Sequence, residues 1–264
     1  MFVDAHAHLQ NFPNQLNYDW DAYLKFFSID SIVCNGTGLK DWESVHILSS
    51  SSSRIVPAYG VHPWKVMDQP DNWLDCLERY LSNDRALIGE IGLDKWVRDS
   101  DFELQKVFFM KQLELGIELK CPIVVHCLKA FGHLNKFLGR YEKIPAGFLL
   151  HSYGGPKEFV SNFLKKGAYF SFSAYFLREH KGAVREIFRE IPLERILLET
   201  DAPDMKGPDF LYDKKVNSPS WIDALNPPAI ISRIYEEFAK LYKLPLEDLV
   251  KQMNVNYKNF LLRA

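Results

Sequence analysis

No stretch of the 264-residue chain holds the roughly 18 uninterrupted apolar residues that a membrane-spanning helix needs. The start, Met1-Phe-Val-Asp-Ala-His6, lacks the basic region and cleavage site of a signal peptide and runs straight into an apolar segment. A cytoplasmic protein without a membrane partner is therefore expected. Cysteine is scarce: Cys34, Cys76, Cys121 and Cys127 form no C-x-x-C pair, which argues against a disulfide framework or a zinc knuckle. Reduced thiols suit the cytoplasm. Charge of one sign is not in excess either. Lys plus Arg number 32 against 34 Asp plus Glu, a net charge of −2, so this is no broadly basic nucleic-acid binder. A local grip on phosphates stays open, because bound cations add charge that a residue count omits. Linkers, composition breaks and internal repeats are missing as well, so residues 1–264 are expected to form a single domain. The one low-complexity patch, Ser49–Ser53, reads as the loop ending a helix.

What is present is a recurring short apolar run. Strands are predicted at Phe2–His8, Ser31–Asn35, Ile55–Val61, Ala86–Gly92, Pro122–Cys127, Gly147–Ser152, Ala168–Ser173 and Ile196–Asp201. Several are apolar throughout, as parallel strands covered on both faces must be. Helical periodicity marks Trp73–Ser82, Asp101–Lys120, Ala130–Arg140, Pro156–Lys166 and His180–Glu190 between them, and two further helices at Pro228–Tyr242 and Pro245–Arg263. Strand alternating with helix predicts an α/β fold, a (β/α)8 TIM barrel with extra C-terminal helices. The Pro-, Lys- and Asp-rich segment 204–219 is expected to be a long surface loop.

Chemistry-bearing residues gather at the carboxyl ends of these strands. His6 and His8 end the first, His62 the third, Glu90 the fourth, His126 the fifth, His151 the sixth and Asp201 the eighth. Barrel enzymes build their sites on that face. Residues two apart on a strand point the same way, so His6 and His8 can act together. A lone His near a strand end is more often a hydrogen-bonded structural residue; here five of the eight histidines fall at such ends. Six ligands, His6, His8, Glu90, His126, His151 and Asp201, exceed what one catalytic zinc takes and suit two divalent cations bridged by a carboxylate, for which Glu90 is the candidate. Such a centre would activate a water to attack a phosphoryl or a carbonyl group. Asp201 could take the water's proton, or could instead cap a following helix. Mixed His and carboxylate ligands are compatible with Mg, Mn, Zn, Fe or Ni.

At these residues the sequence resembles the TatD family of metal-dependent deoxyribonucleases, among the amidohydrolase-like barrels. The motifs are Asp4-Ala-His6-Ala-His8, Gly60-Val-His62-Pro63, Gly89-Glu90-Ile-Gly92-Leu-Asp94, Val125-His126-Cys127, His151-Ser152-Tyr153 and Leu198-Glu199-Thr200-Asp201-Ala202-Pro203, in the family's order and over nearly the whole chain. The resemblance implies a (β/α)8 barrel, the same six metal ligands, and hydrolysis of phosphodiesters, typically DNA, often from the 3′ end. It places His62 near the substrate phosphate, which adds it to Glu90 and Asp201 as a catalytic candidate. The chain departs from the family where Lys95-Trp96 follows Asp94, where Asp204-Met205-Lys206 follows Pro203, and where Leu225 precedes Asn226 in place of Arg. These are loop positions that would meet substrate. The competing reading is an amidohydrolase-type enzyme for a small ester, lactone or amide. Many of those bridge their metals with a carboxylated Lys, and Glu90 stands at that strand here. A non-enzymatic barrel with a decayed site does not fit the complete ligand set.

Further residues complete the expectation. Trp64 and Tyr153, which adjoin His62 and His151, could stack on bases of single-stranded DNA. Lys129, and also Arg98, Arg178 and Lys206, follow strand ends and could clamp phosphates; solvated surface charge is the plainer account of each. Asp94 could orient a ligand or cap a turn, and Glu199 could support a ligand or belong to a buried polar network. Cys127 is expected to pack rather than react. Nothing calls for an obligate protein partner.

Overall fold

The computed structural model describes residues 1–82, 85–97, 100–212, 222 and 225–262. Arg98, and residues 213–219 of the proline- and lysine-rich segment, lie outside the described residues.

The apolar runs are strands: β1 Phe2–Ala7, β2 Ile29–Asn35, β3 Ile55–Tyr59, β4 Leu87–Asp94, β5 Ile123–Leu128, β6 Phe148–Leu150, β7 Ala168–Ser173 and β8 Ile196–Glu199. They form one sheet in the order β1 to β8, with every described pairing parallel. β8 returns to β1, where Asp201 N donates to His6 O (2.9 Å) and His8 N to Ala202 O (2.6 Å). Strand order that comes back to its start, with a helix after nearly every strand, is the (β/α)8 barrel that the alternation predicts. β3, β4, β7 and β8 are buried along their whole length, as strands covered on both faces should be.

The described helices are α1 Trp20–Phe26, α2 Leu39–Ser51, α3 Trp73–Leu81, α4 Phe102–Glu118, α5 Phe131–Leu138, α6 Val160–Lys165, α7 Gly182–Phe188, α8 Ile231–Tyr242 and α9 Leu246–Leu261. None of them is long and apolar enough to cross a membrane. α1 and α2 were not expected from periodicity. α1 has only seven residues, opened by Asp19 accepting from Ala22 N. α2 buries Trp42, Val45 and Leu48 at a spacing of three, and it runs on through Ser49 to Ser51 before the chain turns.

Contacts group the chain into two compact units. The first comprises Met1–Cys34, His46–Val56 and Ser171–Asn259. In it the C-terminal helices are tied to the strands: Tyr235 on α8 donates its hydroxyl hydrogen to Val3 O (3.0 Å), and Asn256 on α9 donates to Leu193 O and Ile196 O (2.7 and 2.8 Å). The second comprises Asn35–Val45, Pro57–Phe170 and the chain from Phe260. Here β3, β4 and β5 approach very closely. A Cβ on Gly92 would lie 2.0 Å from His126 O, and one on Gly60 would lie 2.9 Å from Gly89 C. Only glycine allows these approaches.

Candidate functional site

In the second unit, three predicted site histidines converge on one carboxylate oxygen. Glu90, 2% exposed on β4, presents Oε1 to His151 Nε2 at 2.8 Å, His126 Nδ1 at 3.0 Å and His62 Nε2 at 3.4 Å. His126 Nδ1 lies 3.2 Å from His151 Nε2. β4 and β5 pair with Gly92 opposite His126, which sets Glu90 and His126 side by side. His151 N bonds Val125 O (3.1 Å), fixing the next strand end. His62 accepts from Trp64 N through Nδ1 (3.2 Å), which turns Nε2 towards Glu90. A carboxylate oxygen offers about two lone pairs, too few for three separate imidazole donors. Imidazole nitrogens gathered around a shared carboxylate are the donor set of a cation site, and His62, Glu90 and His126 form one group with that geometry.

Asp94 ends β4 fully buried, where it contacts His126 and caps the turn that follows. Its Oδ2 meets His126 Nε2 at 3.1 Å and accepts from Trp64 Nε1 at 2.7 Å, while Oδ1 accepts from Trp96 N at 2.6 Å. Burial pushes the Asp94 carboxyl up, but the hydrogen bonds from His126, Trp96 and Trp64 outweigh it and hold it below the ordinary carboxylate range. Burial lowers the proton affinity of His126, and the bonds to Asp94 and Glu90 reverse this and raise it. Asp94 therefore fixes the ring of His126 and frees Nδ1 to face Glu90, the way a carboxylate behind a ligating histidine works. Asp94→Asn is expected to weaken metal binding or turnover about 10- to 100-fold, read by metal titration and steady-state rates.

Two glutamines outside the sequence motifs brace this arrangement. Gln112, buried on α4, accepts from Val61 N (2.6 Å) and donates to Val61 O (3.2 Å), one residue before His62. Gln105, seven residues earlier, accepts from Asp94 N (2.8 Å) and donates to Asp94 O (3.0 Å). Each side-chain amide satisfies both polar groups of a strand-end residue whose neighbours turn away. The signal was present: two amides at a spacing of seven among the buried Phe108, Phe109 and Leu113 of one helix.

In the first unit, His6 Nε2 and His8 Nε2 are 3.1 Å apart, and Asp201 Oδ1 lies 3.5 and 3.6 Å from them. Asp201 takes a left-handed backbone (φ 54°), tolerated by Asp, which aims its carboxylate at the histidines rather than at a helix start. Asp4 sits beneath. It accepts from Thr200 N (3.0 Å), Thr200 Oγ1 (2.6 Å) and His6 N (3.2 Å). Burial pushes its carboxyl up to about 8, although the bonds from Thr200 and His6 pull it back. Asn226, also fully buried, donates to Thr200 O and Asp204 O (2.8 and 2.6 Å) and accepts from Tyr212 (2.7 Å), which pins the chain after β8. Glu199 accepts from Ser171 (2.5 Å) inside a buried polar network.

The outer residues divide. Trp64 is half exposed with its indole N–H held by Asp94, so its ring is fixed beside His62 and His126. Lys129 is exposed with a left-handed backbone (φ 53°). Tyr153 does not fill the place expected for it. Only 1% exposed, it packs against Phe131, Phe163 and Phe170 and donates its hydroxyl hydrogen to Pro156 O (2.7 Å), so no face is open to a base. Arg178 holds Lys206 O and Gly207 O (2.9 and 3.3 Å) and so braces a loop. Burial raises the Cys127 thiol, which suits packing and not nucleophilic attack.

Known proteins share this fold. A family profile of TatD-related DNases matches residues 3–262. The chain is 25% identical over 264 residues to an uncharacterized metal-dependent hydrolase of Bacillus subtilis, covering 98% of each. It is 27% identical over 219 residues to a 3′-5′ ssDNA/RNA exonuclease of Escherichia fergusonii, covering 80% of each. A solved structure of a TatD homologue from Escherichia coli superposes with a TM-score of 0.86 at 22% identity, over 98% of this chain and 97% of that one. With nearly its whole length matched, this chain belongs to the family of TatD-related DNases, as a metal-dependent hydrolase.

Proposed function

We propose that the protein is a metal-dependent exonuclease that hydrolyses phosphodiester bonds of single-stranded DNA from the 3′ end. The observation that carries this reading is the set of three imidazoles around the Glu90 carboxylate. One divalent cation would be held by Glu90, His126 and His151, and a second by His6, His8 and Asp201. When bound, such cations bring the pKa of water towards neutrality and offset charge growing on a phosphoryl oxygen. The protein's own groups do the rest. Asp201 accepts the proton of the attacking water, and Asp94 keeps His126 in one tautomer. His62 is placed to touch the substrate phosphate as well. Glu90, where a carboxylated Lys would otherwise stand, favours the phosphodiesterase over ester, lactone or amide hydrolysis. Likeness to the 3′-5′ ssDNA/RNA exonuclease of Escherichia fergusonii supports the substrate and the polarity.

Purified protein with Mg²⁺, Mn²⁺ or Zn²⁺ is expected to release mononucleotides from the 3′ end of a 5′-labelled single strand, and EDTA to stop it. Turnover of esters or lactones with no nucleotide release under any metal would reject the nuclease.

A further inference from the structure

Beside Asp94, three basic groups of the second unit meet on one aromatic ring. Lys95, the residue after Asp94, places Nζ 2.9 Å from His133 Nε2 and 4.5 Å from the centre of the Phe102 ring. His133 lies edge-on to that ring at 5.0 Å, and Lys106 Nζ stands 5.5 Å from its centre. These residues come from the start of α4, the start of α5 and the end of β4, which is the carboxyl end of the strands. Lys106 is paired with Glu103, whereas among the described residues no carboxylate forms an ion pair with Lys95. The proton affinity of His133 is lowered, by partial burial first and then by Lys95, Lys106 and Lys136, with Glu103 opposing them. Trp96, anchored through its backbone N–H to Asp94, is 57% exposed next door. A cation with no ion-pair partner among the described residues, held by an aromatic platform and flanked by an exposed tryptophan, suits the grip of a single-stranded backbone.

We propose that Lys95 and His133, on their Phe102 platform, seat a non-scissile backbone phosphate of a single-stranded polynucleotide, with Trp96 stacking on the adjacent base. The seat deepens the nuclease reading and rests on it. It makes Lys95 a residue that selects polymers over small phosphodiesters, because a mononucleotide ester has no second phosphate to offer.

The test is Lys95→Ala and His133→Ala in the full-length, metal-supplied protein, with Lys95→Arg as the conservative control. The KM for a single-stranded 12-mer is expected to rise about tenfold in Lys95→Ala while kcat stays within about twofold, since a remote contact is shared by bound and transition states. Fluorescence anisotropy of the same labelled 12-mer in EDTA is expected to show the slope of log K against log salt shallower by about 0.7, one single-strand phosphate contact. Lys95→Arg is expected to keep most of the affinity. If the parent degrades the 12-mer and Lys95→Ala does so with the same KM and salt slope, the seat is overturned and the nuclease stands. If the parent neither binds nor degrades the 12-mer, both fall together.

Discussion

Glu90→Ala is expected to lower turnover by about a thousand-fold or more, the factor that several kcal/mol of lost charge stabilisation represents. The side chain is the shared partner of His62, His126 and His151, so its removal leaves three imidazoles with no common acceptor. Metal analysis should show about one fewer equivalent per chain, because the cluster keeps nitrogen donors but loses the oxygen that balances the cation's charge. His126→Ala should act in the same direction. Near-ultraviolet circular dichroism is expected to match the parent, since β4 keeps its register through Gly92. Full activity in either variant would reject the assignment of these ligands.

Gly92→Ala should act first on the fold, and through the displaced His126 on the site as well. Its methyl group would sit 2.0 Å from the carbonyl oxygen of His126, on backbone that cannot swing aside as a side chain can. Overpacking of this kind costs about 3 kcal/mol or more. For a chain of this length that is roughly 6–12 °C in melting temperature. Thermal unfolding measures it. A melting temperature within about 2 °C of the parent would mean that β4 and β5 can part without consequence.

The fold was legible because its strands are covered on both faces and so written as apolar runs; β7 runs from Ala168 to Ser173 as expected, and β8 stops two residues short of Asp201 because the chain turns there with a left-handed residue. The ligand candidates were legible for a related reason. A polar residue directly after an apolar run has to sit at a strand end, and strand ends of a barrel share one face. What stayed hidden depends on direction and not on position. Tyr153 follows His151 by two residues, yet its ring turns into the aromatic packing of Phe131, Phe163 and Phe170. Trp64 keeps an exposed face, but the bond from its N–H to Asp94, which fixes the ring, is a matter of direction too. α2 was missed because its serine-rich end is a weak helix former, and its three buried residues are stabilised by tertiary packing and not by propensity.

The two glutamines of α4 act as a gauge. Seven residues of helix span about 10.5 Å along the axis, a length that hardly changes without breaking hydrogen bonds. With one end clamped on Val61 and the other on Asp94, the helix sets the separation of two strand exits to a fixed increment. Inserting or deleting a residue between Gln105 and Gln112 would rotate one amide about 100° off its partner, so this helix should tolerate change of sequence far better than change of length.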